Sequence, residues 1–220
     1  MSKTQRELKA MRQAQREEAA ARQRARDRRN LMIIGGGVVV LALAIIVVAQ
    51  ILNHASQVAS ANHIKFRAVA TLVGQQVKDE GRNHIDPSTT ATYALYPPSS
   101  GPHYNAQGIA PVTWRTIGTL AEGQYIHNLE HGGIVVLYNC PSGSDCTSLR
   151  NQLENYVNNL VPVEPQFNEM KIVLSPYSRG MQKKIALVAW DYVQFLDTYD
   201  QNAITTFYES HVDKGPEAVP

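Results

Sequence analysis

The longest uninterrupted stretch of apolar residues lies near the N-terminus. Residues 31–49 contain no charged side chain and no side-chain hydrogen-bonding group, and extending the segment through Leu52 gives 22 residues. As a helix this segment measures about 33 Å, which is enough to cross a bilayer core of about 30 Å. We therefore predict a transmembrane helix over residues 31–52, preceded by a tail over residues 1–30 that has no apolar stripe.

The pattern after this segment separates a stalk from a globular domain. Residues 53–82 are mostly polar and predict a stalk, whereas residues 83–220 form a domain long enough to bury one core. Prolines and glycines punctuate the chain up to Gln124, which predicts ordered loops with short strands. From Gly133 onward the apolar spacing predicts, in order, strand 134–138, helix 147–160, strands 171–174 and 185–190, and helix 202–211.

This β-α-β-β-α order predicts the α+β class: a single transmembrane helix followed by one extracytoplasmic α+β domain. A similar order of elements occurs in the second part of thioredoxin-like folds. That partial likeness concerns the elements only and implies no function.

The charged residues are distributed unequally about the apolar segment. Residues 1–30 carry a net charge of +6 and residues 31–220 a net charge of −4, so the overall +2 gives no argument for nucleic-acid binding. Because basic residues favour the cytoplasmic side, we expect the tail to be cytoplasmic and the domain extracytoplasmic. The alternative is a signal peptide cleaved near Ala59-Ser60-Ala61, but the apolar regions of signal peptides span only about 7–15 residues.

Two cysteines, Cys140 and Cys146, flank a short Pro/Gly-containing turn between a predicted strand and a predicted helix. Outside the cytoplasm such a pair most simply forms a disulfide. The alternative is a redox dithiol, which the five intervening residues disfavour because they place Cys140 away from the start of the helix.

The seven histidines all follow the apolar segment, and four of them, His84, His103, His127 and His131, lie in the turn-rich half of the domain. Imidazoles four residues apart on a helical turn face the same way and can share one metal ion. The remaining three, His54, His63 and His211, are interpreted as structural or solvated.

We predict a copper or zinc site formed by His103, His127 and His131. Met181 could add a thioether ligand that favours copper, although a methionine there could equally pack the loop onto the core. Three further residues are expected to hydrogen-bond and orient the ligands: Asn128, Glu130 and His84.

Residues 127–131 also fit the H-x-x-E-H pattern of inverted zinc peptidases, in which the glutamate activates a water molecule. That architecture requires a long helix. Here Gly132-Gly133 and a β-branched strand follow at once, so we expect the motif to lie on a single turn or loop.

Two sequence blocks resemble a known family. Residues 96–103 (YPPSSGPH) and 127–133 (HNLEHGG), with the Ala189-Trp190 strand end and the Lys214-Gly215-Pro216-Glu217 tail, resemble the bacterial domain-of-unknown-function 3105 family over roughly residues 80–218. This resemblance implies a short tail, one membrane span and an extracytoplasmic domain, and it supports His103, His127, Glu130 and His131 as candidate positions. It supplies no reaction.

These observations predict a membrane-anchored extracytoplasmic protein of the cell membrane that binds copper or zinc for storage, delivery or an accessory role. Two alternatives remain open: an accessory subunit of a membrane protein complex without metal, and a zinc-dependent hydrolase.

Overall fold

The structure is a computed structural model that describes residues 63–140 and 144–220 and, nearer the N-terminus, residues 23, 44, 45 and 48. The chain divides into two units, Met1–Val58 and Ala59–Pro220. The predicted tail, the predicted transmembrane helix over 31–52 and the first part of the predicted stalk lie outside the described residues, apart from those four. Among the residues described, no helix is both long enough and apolar enough to cross a membrane.

The second unit contains seven strands and three α-helices within its described residues. In chain order they are β1 (Gln75–Gln76), β2 (His84–Ile85), β3 (His103–Tyr104), α1 (Glu122–Glu130), β4 (Ile134–Tyr138), α2 (Ser144–Asn155), β5 (Ile172–Pro176), β6 (Ile185–Ala189), β7 (Tyr192–Leu196) and α3 (Gln201–His211). A π-helical turn, Tyr156–Leu160, follows α2. The domain therefore belongs to the α+β class, as the sequence predicted.

Five strands form a mixed sheet in the order β1-β7-β6-β4-β5. Strands β4 and β5 are parallel, with Ile134 opposite Ile172, and the other neighbours are antiparallel. The outer edge of β5 is covered by the preceding loop, since Leu174 exchanges hydrogen bonds with the backbone of Thr116 and Gly118. Strands β2 and β3 form a separate parallel pair.

Both faces of the central sheet are buried. On one face α2 and α3 cover Ile134, Val136, Ile172, Leu174 and Leu187. On the other face α1 covers Val135, Leu137, Val173, Ala186 and Val188. Burial on two sides explains why these strands appear in the sequence as continuous apolar runs rather than alternating patterns.

Two parts of the fold differ from the sequence-based prediction. The segment assigned to the stalk is part of the fold from residue 63 onward, because Ile64 and Phe66 pack on the core and β1 pairs with β7. Strand β7 was not predicted. It follows β6 after the two-residue turn Trp190-Asp191, where Asp191 adopts a positive φ of 60°.

Candidate metal centre

Strands β2 and β3 bring the first two histidines of the candidate site together. Their parallel register places His84 opposite His103, and the two ring centroids lie 4.8 Å apart. His103 is fully buried, and its Nδ1–H donates to the Gly101 carbonyl at 2.8 Å. His84 is 42% exposed and therefore lies at the surface of the site.

Helix α1 carries the third histidine, His127. The helix begins after Ala121, whose N–H donates to Gln124 Oε1 at 3.0 Å. It ends at Glu130. Two residues later Gly132, which has a φ of 76°, donates its N–H to the Leu129 carbonyl, a common way to satisfy the last carbonyls of a helix. The expectation that residues 127–131 lie on a single turn or loop was therefore wrong. Residues 127–130 form the last turn of a nine-residue helix, and His131 follows as its C-cap.

The three histidines converge on one place. One ring nitrogen from each of His84, His103 and His127 lies within 4.8 Å of the corresponding nitrogens of the other two. The His127 ring stacks on that of His84 at 5.4 Å between centroids and meets that of His103 edge-on at 5.1 Å. Three imidazoles at this separation can bind a single transition-metal ion.

The hydrogen bonds of the rings fix which nitrogen is available. His127 Nδ1–H donates to the Tyr104 carbonyl at 2.6 Å, as His103 Nδ1–H does to Gly101. When these imidazoles are neutral, each therefore has an unprotonated Nε2. Histidines that bind metal usually donate their other N–H to a carbonyl or carboxylate in this way.

Glu130 faces the same cluster. Its Oε2 lies 2.9 Å from His103 Nε2 and 3.4 Å from His84 Nε2, and the side chain is only 2% exposed. Because the Nδ1 proton of His103 is already donated to Gly101, a second proton or a cation has to lie between His103 Nε2 and the carboxylate.

Asn105 lies on the opposite side of the His84 ring, where its Nδ2 is 3.1 Å from His84 Nδ1. Metal binding through His84 Nε2 therefore requires the Asn105 amide to turn so that its oxygen accepts from Nδ1.

His131 follows the helix and lies beside the triad of His84, His103 and His127. Its Nε2 lies 3.1 Å from His127 Nε2 and 3.5 Å from Glu217 Oε2 in the C-terminal segment. The predicted site combined His103, His127 and His131. The distances instead group His84 with His103 and His127, and His131 lies next to His127 only. The H-x-x-E-H interpretation requires a longer helix than the nine residues found here.

The environment of the helical histidines favours neutral imidazole. Desolvation by burial lowers the pKa of His127, and the hydrogen bond to Tyr104 opposes this shift only in part. Desolvation also lowers the pKa of His131, and the neighbouring His127 lowers it further. Neutral imidazole is the form that binds metal.

Two of the predicted site residues lie elsewhere. The Asn128 side chain is fully buried and bonds the Val112 backbone, accepting from its N–H at 3.0 Å and donating to its carbonyl at 2.7 Å. It therefore fixes a loop rather than a ring nitrogen. Met181 lines a surface cavity with Asn139 and Lys184, before β6. Trp190 follows the opposite end of β6, and its ring centroid lies 6.5 Å from that of His103.

The histidines that the sequence analysis set aside have structural roles where they are described. His63 donates from Nδ1 to the Val161 carbonyl at 2.9 Å. His211 is buried, its Nε2–H donates to the Val73 carbonyl, and desolvation lowers its pKa. His54 lies outside the described residues.

The cysteines form the predicted disulfide. Cys140 follows β4 and Cys146 lies in the first turn of α2, with their Cα atoms 5.2 Å apart. This bond joins a central strand to the helix that covers it, and the redox-dithiol alternative loses support because both sulfurs are bonded to each other.

Comparison with protein families gives a match that covers most of the domain. A family model described as "Protein of unknown function (DUF3105)" matches residues 84–219, which include all four histidines of the cluster, Glu130 and Glu217. Neither a curated protein nor a solved structure matches the chain.

Proposed function

The chain belongs to the DUF3105 family, and we propose that it binds one transition-metal ion, copper or zinc, through His84, His103 and His127. The main support for this proposal is that backbone hydrogen bonds determine which nitrogen of each ring is free to bind a metal. Two Nδ1–H groups are held by backbone carbonyls, so the Nε2 atoms of His103 and His127 are available next to the third imidazole. No reaction is needed to explain this arrangement, which suits storage, delivery or an accessory role.

Burial supports a tightly held ion. His103 and His127 are 0% and 3% exposed, and Glu130 is 2% exposed. A cation at the Nε2 atoms would balance the buried Glu130 charge, which is costly when unpaired. Imidazole ligands suit both copper and zinc, and geometry rather than affinity alone distinguishes the two ions. We do not include Met181 as a thioether ligand, because it lies beside Asn139 and Lys184.

Titration of the purified full chain with zinc or copper ions tests the proposal. We expect about one ion per chain for the wild type and loss of stoichiometric binding in His103→Ala and His127→Ala. His84→Ala is the most informative variant, because its side chain is 42% exposed and its removal leaves the core unchanged. The matched control is His63→Ala, which removes an imidazole whose hydrogen bond lies outside the triad. A wild-type chain that binds neither ion would refute the proposal.

A second candidate has its own supporting observation. Every imidazole of the triad already has protein hydrogen-bond partners, and a single proton would join His103 Nε2 to Glu130 Oε2. In this alternative the cluster braces the loops of a metal-free accessory subunit of a membrane complex. It predicts that His84→Ala lowers stability without any metal effect and that the full chain co-purifies with a partner.

We also propose that the domain is extracytoplasmic and anchored by the apolar segment at residues 31–52. The charge difference of +6 before residue 31 and −4 after it supports this orientation. Protease added to spheroplasts should digest the domain after residue 53 and spare the N-terminal tail. Protection of the domain would contradict the orientation.

A further inference from the structure

The cluster contains a second arrangement of ligand atoms outside the triad. His127 Nε2 lies 3.1 Å from His131 Nε2, which in turn lies 3.5 Å from Glu217 Oε2. Because His127 Nδ1–H is committed to Tyr104, the gap between the two Nε2 atoms holds either the His131 proton or a cation. Nitrogen ligands of one tetrahedral ion bound at about 2.0–2.1 Å lie about 3.3 Å apart, close to the distance observed here.

Glu217 is held at this place by the fold of the C-terminal segment, residues 213–220. The Glu217 N–H donates to the Glu130 carbonyl at 3.0 Å, and the Asp213 N–H donates to the Gly132 carbonyl at 2.9 Å. A Cβ at residue 215 would collide with the Glu130 carbonyl oxygen, so only glycine allows the segment to lie this close to α1.

A buried lysine fastens the same segment at two further points. Lys171 is fully buried, and its Nζ lies 2.8 Å from Asp213 Oδ1 and donates to the Val219 carbonyl. A third contact runs from Nζ to the His131 carbonyl at 3.3 Å. The segment that presents Glu217 is thus attached to the end of α1 and to β5 rather than loosely placed.

His131 also lies between the buried His127 and solvent. Its side chain is 15% exposed, compared with 3% for His127, and it lines a surface cavity with Trp114 and the C-terminal Pro220. Glu217 is 40% exposed. A cation entering through this cavity meets His131, with Glu217 Oε2 3.5 Å from its Nε2, before it reaches the Nε2 of His127.

We propose that His131, Glu217 and the Nε2 of His127 form an outer, transient metal position through which copper or zinc ions pass to and from the triad. This inference rests on the proposed metal-binding function. The ion displaces the proton between the two Nε2 atoms, which leaves to solvent. It then exchanges His131 and Glu217 for His84 and His103, with His127 as the ligand common to both positions.

A position on the transfer path has a distinctive kinetic consequence. It lowers the barrier for loading and for release equally, because both directions cross the same step, and so it leaves the equilibrium dissociation constant unchanged. A ligand of the final site instead changes the dissociation constant, mainly through faster release.

Stopped-flow loading of the full chain with Cu²⁺ tests the proposal. Quenching of tryptophan fluorescence reports arrival, since the Trp190 ring lies 6.5 Å from the His103 ring. We expect Glu217→Gln to slow loading and release to a chelator by about tenfold each, with an unchanged dissociation constant. The matched control is Glu154→Gln, a carboxylate that is 37% exposed and pairs with Arg150 at the same distance of 3.5 Å.

Three outcomes overturn the outer position while leaving metal binding at the triad intact. In the first, Glu217→Gln loads and releases copper as fast as the control Glu154→Gln, as expected if ions enter past the exposed His84. In the second, Glu217→Gln releases copper faster and binds it more weakly. In the third, loading is slower but release is not. Should the Glu217 change disturb the segment itself, His131→Ala provides a second variant with the same expected pattern. Absence of copper binding in the wild type would instead refute the proposed function, and the outer position with it.

Discussion

Replacing Asn128 by alanine tests whether this side chain fixes the Val112 loop, as its contacts indicate, or orients a metal ligand, as the sequence suggested. The amide makes two hydrogen bonds to the Val112 backbone, at 3.0 Å and 2.7 Å, and is fully buried. At about 1 kcal/mol net for each bond, Asn128→Ala should lower the free energy of unfolding by about 2 kcal/mol. With a urea m value of about 2 kcal/mol/M, the midpoint should fall by about 1 M.

Urea denaturation of the wild type and the variant, followed by circular dichroism, measures this change. The control is Asn159→Ala, which removes one exposed side-chain hydrogen bond to Asn155 and should change stability by less than about 0.5 kcal/mol. Because Asn128 bonds Val112 and no described imidazole, folded Asn128→Ala should keep wild-type metal affinity. Unchanged stability together with lost metal binding would refute this reasoning and restore the role of Asn128 in orienting a ligand.

Two further predictions concern the disulfide and pH. The double variant Cys140→Ser/Cys146→Ser should lower the free energy of unfolding by about 2 kcal/mol, because the disulfide closes a loop over a sequence separation of 6. A loss smaller than the error of the denaturation curves would contradict this prediction. For His127 and His131 the folded-state pKa lies below the ordinary value of about 6.5. Their contribution to stability is complete above pH 6.5 and decreases below it, because the unfolded chain then takes up protons first. Urea denaturation curves from pH 8 to 5 should therefore show this loss of stability only below pH 6.5, and a loss that begins near pH 8 would contradict the prediction.

The elements that were predicted correctly are those whose signal is local. Strands β4, β5 and β6 are continuous apolar runs, and α2 and α3 place their apolar residues at helical spacing. Helix α1 was missed because Gly123 is a poor helix former and all residues from Tyr125 to Glu130 are buried, which removes the polar face that identifies a surface helix.

The site was only partly predictable for a related reason. His127, His131 and Glu130 lie within five residues of one another, so their proximity follows from helical spacing. His84 joins His103 through a two-residue parallel strand pair, extended by the hydrogen bond from His103 N–H to the Asn83 carbonyl. Such a pairing depends on the tertiary fold. Glu217 likewise reaches His131 only because the chain returns to α1 after α3.

X-ray absorption spectroscopy at the zinc edge of the zinc-loaded full chain identifies the ligands of the ion directly. We expect three imidazole nitrogens at about 2.0–2.1 Å and no sulfur at about 2.3 Å, with the imidazole signal lost in His103→Ala. A chain that retains no zinc, or zinc coordinated by sulfur and not by imidazole, would contradict this expectation.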